Sequence, residues 1–210
     1  MSIHIKICGI THPEDALLSE KSGASAVGFV FYPPSPRYVE PETAGLISDA
    51  LGPFIARVGL FVDEDPGRVM DTVKTAHLTA VQLHGSESPE YVKSIKGVHC
   101  IKAFRVGKDF DPEVLGCYDG VTFLLDTYDE SGYGGTGKTF NWDCATACKR
   151  KKFGRIILAG GLNKDNIGNA IRTVGPWGVD VSSGVEDRPG KKDPEKLLAF
   201  FDSIKRELIT

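Results

Sequence analysis

Eight short apolar runs recur along the chain, and each is rich in β-branched residues. After each run come a polar segment and then a stretch of helix-favouring residues. This alternation predicts the buried strands of a parallel sheet, with a helix after each strand. The predicted strands are Ile3–Cys8, Ala26–Phe31, Arg57–Val62, Ala80–His84, Cys100–Val106, Val121–Asp126, Arg155–Ala159 and Gly178–Ser182.

Half of the 12 prolines mark the beginnings of predicted helices. Proline is tolerated in a first helical turn because an N–H there has no partner within the helix. The six prolines are Pro13, Pro41, Pro66, Pro89, Pro112 and Pro194. Predicted caps are Asp65, Ser88, Asp111 and Asp193, with Thr11 and Glu14 as a capping box and Asn141–Asp143 and Asn163–Asp165 as two further helix starts.

Eight strand–helix units in 210 residues favour an α/β fold, a (βα)8 TIM barrel near the lower size limit of that architecture. An open doubly wound sheet is the alternative, but the chain has no clear dinucleotide-binding signature. No linker and no change of composition divides the units. We therefore expect residues 1–210 to form a single barrel domain.

Composition and charge exclude several classes of protein. The net charge is −3 and basic residues do not cluster, which argues against nucleic-acid binding. No run of about 18 apolar residues is present, and polar residues interrupt Met1–Cys8, so we expect neither a membrane span nor a signal peptide. Five cysteines, an odd number without CxxC spacing, favour a reducing cytoplasm and no metal site.

Side chains alternate between the two faces of a strand, so parity predicts which residues face the barrel axis. In the first strand the isoleucines face the helices, whereas Lys6 and Cys8 face the axis. The same parity groups polar residues at the carboxyl ends of other strands, where barrel enzymes place their sites. These residues are Gln82 and His84, Asp126, and Asp180 with Ser182.

Two glycine-containing loops follow the last two predicted strands. Gly160 and Gly161 follow the seventh, and Ser183 and Gly184 follow the eighth. Glycine allows a backbone to approach an anion closely, and the loops after strands seven and eight form the usual phosphate site of barrels. We predict that these four residues bind a phosphate group.

Residues Gly132–Thr139 match the nucleotide-binding pattern GxxxxGK[ST], but their context does not. Such a loop joins a strand directly to a helix, whereas extra residues intervene here on both sides. The segment Thr127–Phe140 is better interpreted as a lid over the barrel.

Several segments together resemble the signature blocks of the phosphoribosylanthranilate isomerase family, in order and over essentially the whole chain. Asn141 departs from the aspartate expected in many members. The blocks are Lys6–Thr11, Gly28–Phe31, Ser35–Arg37, Val81–Gly85, Leu125–Asp126, Gly134–Gly137, Leu158–Leu162, Asp180–Glu186 and Gly190–Asp193.

The resemblance implies an Amadori rearrangement in tryptophan biosynthesis, by general acid–base catalysis. Cys8 is then the general base and Asp126 the general acid, and Arg37 binds the anthranilate carboxylate. Gln82, His84 and Asp180 are expected near the substrate. The rearrangement consumes no electrons or water, so we expect no metal or cofactor. The expected partner is a small phosphosugar substrate. We expect the protein to be a monomer or a weak homodimer.

Three other functions remain as alternatives. An isomerase of a histidine-pathway aminoaldose would share the phosphate site, but we expect an aspartate in it where Cys8 stands. A non-catalytic phosphosugar-binding protein has no need of an acid and a base that face one another. The third alternative, a P-loop ATPase, rests on residues 132–139 alone.

Overall fold

The computed structural model describes residues 3–107, 109–127 and 142–209. Eight parallel strands close into a barrel, because each pairs with the next and β8 pairs with β1. The predicted (βα)8 barrel is therefore confirmed. The strands are β1 (His4–Cys8), β2 (Ala26–Val30), β3 (Ala56–Phe61), β4 (Ala80–Leu83), β5 (His99–Val106), β6 (Thr122–Thr127), β7 (Ile156–Ala159) and β8 (Gly178–Val181).

Helices surround the barrel, and all six predicted prolines begin a helical segment. The side chains of Asp65, Ser88, Asp111 and Asp193 accept hydrogen bonds from backbone N–H groups of the following turn, as predicted. The α-helices are α1 (Pro13–Ser22), α2 (Pro41–Asp49), α3 (Pro66–Thr75), α4 (Pro89–Ser94), α5 (Trp142–Lys151), α6 (Ile167–Val174) and α7 (Pro194–Ile209).

Three details differ from the sequence prediction. The segment after β5 is a 3-10 helix, Pro112–Cys117, in which Gly116 lies against Phe153. Thr11 does not cap α1, because its hydroxyl donates to the carbonyl oxygen of Gly190 at 2.5 Å. Asn163 accepts hydrogen bonds within a turn, so α6 begins four residues later than predicted.

Other predicted features lie outside the described residues. They are the P-loop pattern at residues 132–139, the helix start at 141 and the lid, of which only Thr127, the last residue of β6, is described.

The apolar side chains form two cores, as parity predicts. The larger core lies between the strands and the helices and includes Ile5 and Ile7. A small core fills the interior of the barrel, formed by Val58, Ala80, Ile101, Ala103, Leu124, Ile157 and Ala159. Nearer the carboxyl ends of β6 and β8, Asp126 and Asp180 share the axis-facing side, because their neighbours Leu125, Val179 and Val181 lie in the larger core.

A buried ion pair braces the loop that follows β4. Lys102 and Glu87 expose only 2% and 1% of their side chains, and Lys102 Nζ lies 2.6 Å from Glu87 Oε2. The same ammonium donates to the carbonyl oxygens of Gly85 at 2.7 Å and Leu83 at 3.4 Å. Glu87 Oε1 accepts from the backbone N–H groups of Asp63 and Gly85. The pair thus fixes the backbone on both sides of residue 84.

We predict that Lys102→Met lowers the free energy of unfolding by about 3–5 kcal/mol, because it leaves the Glu87 carboxylate buried without its cation. Urea denaturation at pH 7 measures this loss. Lys74→Met is the matched control, since Lys74 and its partner Asp71 are 75% and 78% exposed and such pairs contribute less than about 1 kcal/mol. Equal losses in the two variants would contradict the prediction.

Candidate active site

Lys6 and Cys8 lie on the axis side of β1, close to one another. Lys6 Nζ is 3.0 Å from both carboxylate oxygens of Asp180, which is its register partner on β8. Gly28 on β2 pairs with Cys8, and a Cβ atom there would come within 2.9 Å of both Cys8 Sγ and Lys6 Cε. The side chains of residues 6 and 8 therefore occupy space that only a glycine at position 28 leaves.

Some charged neighbours raise the pKa of the Cys8 thiol and others lower it. Burial raises the pKa of Cys8 above its usual range, and Asp180 adds to this effect. Lys6 and, more weakly, Lys192 oppose it. Burial lowers the pKa of Lys6, but Asp180 and Cys8 outweigh this, so that it lies above its ordinary value and Lys6 is an ammonium.

Asp126 lies at the carboxyl end of β6 and contacts His84. His84 Nε2 is 3.2 Å from Asp126 Oδ2, and His84 Nδ1 is 2.9 Å from the Gln82 amide nitrogen. With this amide orientation, Gln82 donates to Nδ1 and the histidine proton lies on Nε2, directed at Asp126. Gln82 is fully buried and Asp126 is 33% exposed. The aspartate therefore reaches solvent, while the residues that orient it are inside the barrel.

Arg37 lies in the loop after β2 and forms a two-pronged ion pair with Glu186. Arg37 Nε is 3.0 Å from Glu186 Oε1, and Nη2 is 2.6 Å from Oε2. Gly9, in the left-handed region at φ 76°, permits this course, since a Cβ there would lie 2.7 Å from Arg37 Cδ. The ion pair uses the Nε and Nη2 edge of the guanidinium group, and Nη1 takes no part in it.

Lys192 connects this ion pair to Cys8. It belongs to a hairpin after β8, formed by β9 (Glu186–Arg188) and β10 (Lys191–Lys192). Its ammonium has no solvent exposure and donates to the carbonyl oxygen of Cys8 at 2.5 Å and to Glu186 Oε1 at 2.8 Å. Burial lowers the pKa of Lys192, an effect that Glu186 partly offsets, while Arg37 and Lys192 hold the pKa of Glu186 below its usual range against the effect of burial.

The two predicted phosphate loops lie against each other. Gly160 and Gly161 both have positive φ, 89° and 60°. Gly184 touches the neighbouring loop so closely that a Cβ there would lie 1.9 Å from the carbonyl oxygen of Leu162. Among the described residues, no acceptor bonds the backbone N–H groups of Gly161, Ser183 or Gly184. Such donors at adjacent loops suit an anion.

The structure brings the predicted residues to one end of the barrel and adds three others. Lys6 faces the axis as predicted, but sequence reasoning gave it no role. Glu186 and Lys192 lie in two of the signature blocks, Asp180–Glu186 and Gly190–Asp193, but sequence reasoning assigned a role to neither residue. Their charge, within segments that are otherwise apolar or contain glycine, is the only feature of the sequence that could have indicated one. Their partners are too distant in sequence for a local pattern to reveal them.

Among the described residues, no group of three or more histidine, cysteine, aspartate and glutamate side chains is arranged to hold a metal ion. No helix in the described ranges combines the length and apolar character needed to cross a membrane.

A family model for N-(5'-phosphoribosyl)anthranilate (PRA) isomerase matches residues 5–203. The chain belongs to the phosphoribosylanthranilate isomerase family. A relative named N-(5'-phosphoribosyl)anthranilate isomerase, from Trichlorobacter lovleyi, is 48% identical over 98% of this chain and 100% of its own length. The family resemblance seen in the sequence is thereby confirmed.

Solved structures of family members share the fold. A phosphoribosyl anthranilate isomerase from Thermotoga maritima superposes with a TM-score of 0.91 at 47% identity, covering 98% of this chain and 100% of its own. Another phosphoribosyl anthranilate isomerase structure, in complex with reduced 1-(o-carboxyphenylamino)-1-deoxyribulose 5-phosphate, has a TM-score of 0.87 at 44% identity over 98% and 100%. The similarity thus extends over the whole barrel.

The Glu186 ion pairs make stability depend on pH in a defined direction. Because the folded-state pKa of Glu186 is depressed, its contribution is present above the unfolded pKa of about 4.3 and is lost as the pH falls through the folded value. Glutamine resembles a protonated glutamate. We therefore predict that Glu186→Gln is less stable than the parent at pH 7 and that this difference shrinks as the pH falls below about 4.

Chemical denaturation of both proteins at several pH values measures the difference. Exposed Glu42→Gln is the control, with an expected change below about 0.5 kcal/mol throughout. A difference for Glu186→Gln that stays constant with pH would contradict the depressed pKa.

Proposed function

We propose that this chain isomerises N-(5-phosphoribosyl)anthranilate to 1-(2-carboxyphenylamino)-1-deoxyribulose 5-phosphate, with Cys8 as the base and Asp126 as the acid. The reaction is the Amadori rearrangement of tryptophan biosynthesis. The observation that carries the proposal is the placement of a thiol and a carboxyl group at the carboxyl ends of β1 and β6, in a chain whose family is named for this reaction.

Asp126 opens the furanose ring in the first step. Its carboxylic acid protonates the ring oxygen, the C1–O bond breaks, and the nitrogen lone pair forms the C1=N bond of a protonated Schiff base. The contact with His84 Nε2 at 3.2 Å supports this role, because it holds Oδ2 in place. The partial exposure of Asp126 also supports it, since a substrate at the end of the barrel has access to the carboxyl group.

Cys8 acts in the second step, as a thiolate. It takes the proton from C2, the C2–H electrons form the C1=C2 bond, and the C1=N electrons return to nitrogen. The resulting enolamine becomes the ketone when C1 gains a proton and the 2-hydroxyl loses one. Proton transfers alone therefore balance the isomerisation.

Arg37 binds the anthranilate carboxylate in this proposal. Its pairing with Glu186 supports the role, because a guanidinium fixed along one edge presents its remaining N–H donors in a defined direction. The orientation is set before the substrate binds, which reduces the entropy lost on binding.

Gly160, Gly161, Ser183 and Gly184 bind the phosphate in this proposal. Their backbone N–H groups and the contact between the two loops support the role. Gln82 and Asp180 lie behind the contacting groups, where they orient His84 and Lys6.

The proposal extends to the setting of the enzyme. We place it in the cytoplasm as a single domain, supported by five cysteines that are all free thiols. A monomer or weak homodimer agrees with the small number of large apolar side chains on the described surface. The most exposed are Leu46, Phe54 and Ile209.

We predict that Cys8→Ser and Asp126→Asn each reduce the turnover of phosphoribosylanthranilate by at least about 10³-fold, because each removes a proton-transfer group. The loss of substrate fluorescence with purified protein measures the rate. Cys100→Ser is the matched control, since Cys100 faces the helices in the outer core, and its rate is expected to be unchanged. A Cys8 or Asp126 variant that retains the parental rate would remove that residue from the mechanism.

We predict that Arg37→Ala raises KM by about 10–100-fold, which corresponds to the loss of one charge-assisted interaction. Steady-state kinetics with phosphoribosylanthranilate measure it. Arg188→Ala is the control, because Arg188 is 71% exposed and pairs with the neighbouring Asp187. An unchanged KM for Arg37→Ala would exclude the carboxylate-binding role.

A further inference from the structure

The proposed base has to lose its proton in a place that disfavours its charged form. Cys8 is 6% exposed, and burial raises the pKa of its thiol. A neutral thiol is far too weak a base to accept the C2 proton, whereas the thiolate is the reactive, basic form. Some group near Sγ must therefore stabilise the negative charge.

Four charged groups face Cys8, each from a different part of the barrel. Lys6 precedes it on β1, Asp180 lies on β8, Lys192 on β10, and Arg37 follows β2. Lys192 donates to the carbonyl oxygen of Cys8, and Arg37 is paired with Glu186. Lys6 and Cys8, in contrast, both lie beside Gly28, so the ammonium and the thiol border the same space. Of these cations, Lys6 lowers the pKa of the Cys8 thiol most.

The backbone of β2 makes room for both side chains. Lys6 and Cys8 are two residues apart on one face of a strand, and Gly28 is opposite them. A Cβ at position 28 would lie 2.9 Å from Cys8 Sγ and 3.0 Å from Lys6 Nζ, so the thiol and the ammonium both border the space that the glycine leaves. The Asp180 carboxylate, 3.0 Å from Nζ, keeps the ammonium charged inside the barrel.

We propose that Lys6 is a further catalytic residue, whose ammonium group holds Cys8 as the thiolate that removes the C2 proton. The proposal rests on the proposed function for Cys8 as the base and for the identity of the proton removed. In the step itself the C2–H bond breaks and an S–H bond forms, while Lys6 keeps its proton throughout. Lys6 then lowers the pKa of the Cys8 thiol and Asp180 raises it. A purely structural role for the Lys6–Asp180 pair would not give the two residues opposite effects.

The titration of Cys8 tests the proposal without any substrate. The Cβ carbon of cysteine, labelled with ¹³C, reports protonation by NMR, and Cys8→Ser assigns the signal. Lys6→Met is expected to raise the pKa of Cys8 by about 1 or more, whereas Asp180→Asn is expected to lower it, because the two neighbours bear opposite charges. Lys205→Met, at a residue 65% exposed on α7, is the matched control and leaves the titration unchanged.

A second comparison covers the case in which Lys6→Met does not fold. The double variant Lys6→Met/Asp180→Asn leaves no unpaired charge buried at the position of the ion pair. Compared with the single variant Asp180→Asn, it isolates the effect of Lys6. The pKa of Cys8 is expected to be higher in the double variant than in Asp180→Asn, as it is in Lys6→Met compared with the parent. An unchanged titration in both comparisons, or changes of the same sign in Lys6→Met and Asp180→Asn, would overturn the proposal.

Activity supplies an independent readout. The alkaline rise of kcat/KM is expected to move to higher pH with the Cys8 titration in Lys6→Met, and each increase of about 1 in the pKa of Cys8 is expected to lower the rate at pH 7 by about tenfold. Lys6→Arg, which keeps the charge, is expected to restore part of the rate. Should Cys8→Ser prove fully active, the base assignment fails, but the NMR titrations still decide whether Lys6 stabilises the Cys8 thiolate.

Discussion

The ammonium group of Lys192 lies at the centre of the half of the site that contains Cys8, the proposed base. It is fully buried, and it joins the backbone of Cys8 to Glu186, which in turn holds Arg37. A buried charge costs several kcal/mol unless it is paired and hydrogen-bonded. The fold therefore tolerates Lys192 only with these partners in place, and the proposed base and the arginine proposed to bind the carboxylate take their positions from one cation.

A second buried lysine has the same relation to Asp126, the proposed acid. Lys102, paired with Glu87, binds the carbonyl groups on both sides of His84, whose ring contacts Asp126. The proposed base and the proposed acid thus both lie next to backbone that a buried ion pair fixes. This arrangement holds the two groups at a constant separation, which a reaction in two proton-transfer steps requires.

Much of the fold follows from local pattern, and less of the site does. Strand alternation and proline positions predicted the barrel, and parity predicted that Lys6 and Cys8 face the axis, because both depend on neighbours in sequence. The cap assigned to Thr11 was wrong because a hydrogen bond to Gly190 takes its hydroxyl. The parts played by Glu186 and Lys192 depend on contacts across 149 and 184 positions, and no local pattern encodes such contacts.

The hydrogen bond between Lys192 and Cys8 also orders events during synthesis. Its two ends are 184 residues apart, so the ribosome makes the proposed base long before its buried partner. Until β8 and the hairpin of β9 and β10 emerge, the first strand has neither its closing neighbour nor the cation beneath its carbonyl group. The strand that carries the proposed base therefore gains its closing neighbour and its buried cation only after β2 to β7 have been made.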